Sequence, residues 1–159
     1  MLTGKMQEAL TGQLIAEMYS AYLYLSMSSY FESLNLPGFA SWMRVQRLEE
    51  LVHALKFFDY IVEAGGRVLL GPIDGPPTEW DGALGAFEAA LAHEKKVTGL
   101  INDLVEVARA EGDSATEEFL KWYIDEQVEE EESAEEVVSK IKAAGDDLGA
   151  LDAELAQRS

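Results

Sequence analysis

Apolar residues along this chain recur at alternating steps of three and four, the repeat of helix faces turned toward a shared core. One stripe reads Leu10, Leu14, Glu17, Ala21, Tyr24, Ser28, Phe31, and a second Met43, Gln46, Glu50, His53, Phe57, Tyr60, Ala64. A third runs Leu84, Phe87, Leu91, Glu94, Thr98, Ile101, Val105, Ala108, and a fourth Leu120, Tyr123, Gln127, Glu130, Ala134, Val137, Ile141. These stripes predict helices over about 4–33, 38–64, 82–110 and 113–143, an all-α bundle of near-parallel axes within a single domain spanning 1–159.

The breaks between stripes set the topology. Asn35-Leu36-Pro37-Gly38 is a short turn, so the first two helices should be antiparallel. Gly112 does the same for the last pair, with Asp113 or Ser114 as N-cap. Residues 65–81 hold three of the four prolines (Pro72, Pro76, Pro77) and read as extended. Some 16 extended residues reach about 50 Å, longer than the roughly 40 Å of a 27-residue helix. The segment can therefore cross the whole bundle and leave helices two and three parallel, and Val68, Leu69, Leu70 and Ile73 favour a packed strap. After Gly145, Leu148, Leu151 and Leu155 mark a short fifth helix over about 146–157, either packed on another subunit or frayed.

Polar residues interrupt the stripes at mid-length. Glu17, Glu50 with His53, Glu94, and Gln127 with Glu130 fall in one slab across the bundle, and no lysine or arginine lies on any stripe. Four carboxylates in an apolar interior cost several kcal/mol each unless compensated, and multivalent cations are the simplest compensation. Carboxylates with one imidazole suit iron or manganese, with zinc as a competitor. Four of them balance two divalent ions, and Glu50 and Glu130 are candidate bridges because each shares a helix face with another candidate ligand. Glu49, Glu126 and Glu129 lie beside this slab and form either a solvated acidic face or a more exposed third cation site. Tyr24 reads as a core aromatic on the Glu17 face, and His93, off its stripe, as a surface residue.

Composition sharpens this reading. A formal net charge of −18 repels nucleic acid and anionic membranes and attracts cations. No apolar run approaches the ~20 residues of a membrane span. The first residues lack a signal-peptide core, and the absence of cysteine excludes disulfides and thiolate clusters, so a cytoplasmic location is expected.

The motifs AEMYSAYLYL (16–25), EELVHA (49–54), the Pro-Pro crossover ending in Glu79-Trp80, and EQVEEE (126–131) closely resemble the non-haem ferritins of bacteria and archaea, over nearly the whole chain. The resemblance implies the ferritin-like fold and a ferroxidase that oxidises Fe(II) with O2 or H2O2 at an intra-subunit di-iron centre. One iron would be held by Glu17, Glu50 and His53, the second by Glu50, Glu94 and Glu130. Gln127 would serve as a hydrogen-bonding group or weak ligand, and Tyr24 as the tyrosine beside the centre. Glu49, Glu126 and Glu129, sharing Glu130, match a third iron site. A homo-oligomeric shell of 24 subunits holding ferric mineral is implied as well. Leu51 stands where bacterioferritins place their haem-ligating methionine, so no haem is expected, and helix four offers no second Glu-x-x-His. The competing readings are a zinc- or manganese-sequestering scaffold without fast redox chemistry, and a di-iron oxygenase needing an organic-substrate pocket.

Overall fold

A computed structural model describes residues 1–159. It contains helices α1 (Gly4–Ser33), α2 (Pro37–Glu63), α3 (Gly82–Ala110), α4 (Ser114–Ala144) and α5 (Gly149–Leu155), with no strand. Local signals explain the ends. Thr3 caps α1 by accepting from the Met6 amide at 3.1 Å, and Asp113 caps α4 by accepting from the Thr116 amide at 3.0 Å. Pro37 occupies the first turn of α2, where its missing N–H costs nothing. Gly112 and Gly145, at φ 66° and 63°, take the left-handed turn that ends α3 and α4.

Two apolar clusters show how the helices run. One gathers Met27, Phe31, Phe39, Met43, Phe87 and Ile141 at one end; the other gathers Leu10, Phe57, Ile61, Ile101, Leu120 and Tyr123 at the opposite end. The start of α2 therefore meets the start of α3, and their ends meet too: these two helices are parallel. α1 with α2 and α3 with α4 form the antiparallel pairs, as the short turns require. Each fully buried Phe or Leu in these clusters stabilises the fold by about 1.5–3 kcal/mol.

The strap between α2 and α3 follows α1 from end to end. The Arg67 amide donates to Gln7 Oε1 (3.0 Å), Ser26 Oγ donates to the Pro77 carbonyl (2.6 Å), and Tyr30 OH donates to the Trp80 carbonyl (2.8 Å). Val68 and Ile73 are half-buried under it, whereas Leu69 and Leu70 are exposed. Only half of the expected apolar contact is made within the chain.

The expected short fifth helix is present at Gly149–Leu155 and is not frayed. It is a seven-residue helix folded onto its own bundle, with Leu151 and Leu155 buried beside Trp42. Asp152 accepts from the Phe39 amide at 3.0 Å. Gly38 makes the close approach possible, because a Cβ there would sit 1.7 Å from the Asp152 carbonyl oxygen. That long-range fit leaves no local mark in the sequence.

Candidate metal centre

Between the two apolar clusters lies a polar layer to which all four long helices contribute at mid-length. Glu17 and Ser20 come from α1, Gln46, Glu50 and His53 from α2, Glu94 from α3, and Gln127 and Glu130 from α4; none is more than 4% exposed. The helical repeat turns each of them inward because each occupies a stripe position or its neighbour.

Oxygen and nitrogen atoms converge in three groups: Glu17–Glu50–His53, Glu50–Glu94–Glu130 and His53–Glu126–Glu130, each with its candidate ligand atoms within 4.8 Å of one another. Glu50 and Glu130 each belong to two groups. Amides orient the acids. Gln46 Nε2 donates to Glu50 Oε1 (3.0 Å) and Glu130 Oε2 (2.6 Å), Gln13 Nε2 to Glu17 Oε1 (3.2 Å), and Gln127 Nε2 to Glu94 Oε2 (3.2 Å). The Tyr24 hydroxyl donates to Glu94 Oε1. Glu17 Oε2 is buried with no hydrogen-bond partner.

The electrostatics follow from this crowding. Burial pushes the Glu50 carboxyl well above the usual carboxylate range, and the hydrogen bond from His53 only partly offsets it. Burial likewise raises Glu94, against the bonds from Tyr24 and Gln127. Glu130 is pushed up to about 8, by burial first and then by Glu94. Burial pulls the His53 imidazolium down, yet the Glu17 and Glu50 carboxylates outweigh it and leave the ring raised to about 11. Its Nδ1 lies 3.2 Å from Glu50 Oε2 and 3.9 Å from Glu17 Oε2. Tyr24 stays a neutral phenol, held well above its usual value by burial and by Glu94.

The outer carboxylates are less gathered. Glu126 Oε1 stands 3.6 Å from His53 Nε2, but Glu129 is exposed and Glu49 pairs instead with Arg158 Nη2 at 3.2 Å; neither Glu49 nor Glu129 joins a convergent group. His93, expected at the surface, is half-buried: its Nε2 is 2.8 Å from Ser20 Oγ, and burial, with Lys96, lowers it to about 4. His93 packs against Tyr19 and Tyr24 of α1, at ring-centroid distances of 5.8 and 6.1 Å, and Pro72–Asp74 of the strap line a cavity beside it, a long-range setting that stripe position does not reveal. Sequence reasoning also passed over Gln46 as a positioning group, although it stands one turn before Glu50 on the same stripe. Arg158 left no signal.

Such a layer, carboxylates and one imidazole inside a four-helix bundle with a long crossover, defines a class of helical proteins built to hold cations between their helices. The ferritin profile, described as a ferritin-like domain, matches residues 7–144, and the chain belongs to the ferritin family. It is 46% identical over 159 residues to the bacterial non-heme ferritin of Bacteroides fragilis strain 638R, covering 99% of this chain and 100% of that protein. The bacterial non-heme ferritin of Staphylococcus epidermidis strain RP62A is 37% identical, with coverage of 100% and 98%. An engineered closed form of the Archaeoglobus fulgidus ferritin superposes with a TM-score of 0.99 at 54% identity, covering 100% of this chain and 99% of that one. The open-pore ferritin of the same archaeon superposes at 0.98, also at 54% identity and with full coverage of both chains. No helix is long and apolar enough to cross a membrane.

Proposed function

We propose that this chain is an iron-storage subunit that oxidises ferrous iron at its mid-bundle layer and passes the ferric product to a shell interior. One observation carries the reading. Four buried carboxylates face a single imidazolium, and one of their oxygens, Glu17 Oε2, has nothing to bond. Two divalent ions supply the four positive charges that would balance these acids.

In this reading Glu17, Glu50 and His53 take one ferrous ion, with His53 bonding through Nδ1, the nitrogen nearest both acids. Glu50, Glu94 and Glu130 take the second. Gln46 and Gln127 hold carboxylate oxygens in place with their amide hydrogens, and Tyr24 fixes Glu94. Binding displaces the protons that Glu130 and His53 carry at neutral pH. Two ferrous ions and two protons then reduce dioxygen to hydrogen peroxide, each iron giving one electron; with peroxide as oxidant, the same two electrons and two protons yield water. Anionic ligands favour the ferric product because its extra charge is better compensated in a site of low dielectric. Glu126, with Glu49 and Glu129, offers iron a third position on the way out. The whole chain, 1–159, works as one subunit of a cytoplasmic 24-subunit shell.

The test is anaerobic loading with ferrous iron, followed by oxygen. Glu50→Ala and His53→Ala should each slow the fast oxidation phase by more than about tenfold. Two bound ions with no oxygen uptake in the wild type would overturn the ferroxidase in favour of simple sequestration.

A further inference from the structure

The carboxylates proposed for the third iron are unequally free. Glu126 faces His53, but Glu49 is held by the guanidinium of Arg158, a residue on the tail beyond α5. This is a built cradle. Arg158 lies 4.0 Å over the Trp42 ring, donates from Nη1 to the Trp42 carbonyl (3.3 Å), and donates from Nη2 to Gln46 Oε1 (2.9 Å) and Glu49 Oε2 (3.2 Å). Its side chain is only 20% exposed. Beside it, a cavity of about 400 Å³ reaches His53, with Glu49, Trp122, Glu126 and Ser159 among its walls. The C-terminal tail thus forms one side of an opening onto the buried layer.

We propose that Arg158 is a tethered cation that occupies Glu49 until an arriving metal ion displaces it, and so weakens the third position relative to the two buried ones. A positive charge fixed by α5 at this carboxylate is always present at high local concentration, which a free ion has to overcome. Its stacking on the Trp42 ring and its bond to the Trp42 carbonyl fix it from outside the carboxylate layer, while its bond to Gln46 Oε1 joins it to the amide that orients Glu50 and Glu130. The inference rests on the ferroxidase reading for what passes through the opening, but a redox-inert ion reads it.

Calorimetric titration of the assembled, metal-free protein with zinc ions tests it. Wild type should show two tight sites per subunit and a weak third. Arg158→Gln should leave the tight pair unchanged and strengthen the third about fivefold, the size expected of a partly exposed ion pair. Arg158→Lys should stay close to wild type, because the charge is retained. The gain should vanish in Glu49→Gln/Arg158→Gln. An unchanged third site in Arg158→Gln, with the tight pair intact, rejects the role of Arg158 alone. So does a parallel weakening of all three, which would mean that Arg158 merely props Gln46. Absence of the tight pair in wild type rejects the ferroxidase reading and this inference together.

Discussion

Glu130 shows what single residues contribute. Its carboxyl moves from 4.5 to about 8 on folding, so the folded chain holds that proton more tightly than the unfolded chain does. The resulting stabilisation is complete below about pH 4.5 and is lost as pH rises through about 8. His53 acts with the same sign in a higher window, from 6.5 to about 11. Melting of the metal-free protein should therefore fall in temperature between pH 5 and pH 8, and Glu130→Gln should flatten that slope; an equally steep slope in the variant would assign it elsewhere. At this scale the sequence was informative wherever a polar residue broke an apolar stripe, which is how Glu17, Glu50, His53, Glu94, Gln127 and Glu130 stood out. It was silent where a partner comes from a distant element. Ser20 and His93 belong to different helices, and Arg158 lies 109 positions from Glu49.

Helices were the most legible elements, because each carries its own stop signals. Asp113, Gly112 and Gly145 mark ends through the chemistry of caps and left-handed turns, whatever the helix packs against. The strap was legible in its length and prolines, and less so in its packing, since Leu69 and Leu70 point to solvent in the isolated chain. α5 itself was legible from Leu148, Leu151 and Leu155, but its seat was not, because that surface, Trp42 and the Gly38 turn, is built only when the bundle is complete. That joint is testable. Gly38→Ala places a methyl group against the backbone of Asp152 and should destabilise the protein by about 1–3 kcal/mol. The amides of α5 should lose hydrogen-exchange protection at the same time. Full protection of α5 in the variant would show that the contact is not what seats it.

For the whole molecule, the decisive arrangement is the order of layers along the bundle axis: apolar, polar, apolar. Helices ordinarily loosen from their ends. Here both ends of the bundle are clamped by aromatic clusters, and the middle is where like charges meet. In the metal-free protein, deuterium uptake should therefore dip inward: slow near Phe31 and Phe57, faster around Glu17, Glu50, Glu94 and Glu130. Adding a divalent ion at about 100 times its dissociation constant would stabilise each filled site by about 2.7 kcal/mol and should close that window. A waist that slackens when empty and stiffens when loaded makes the backbone itself a gauge of how much metal the subunit carries.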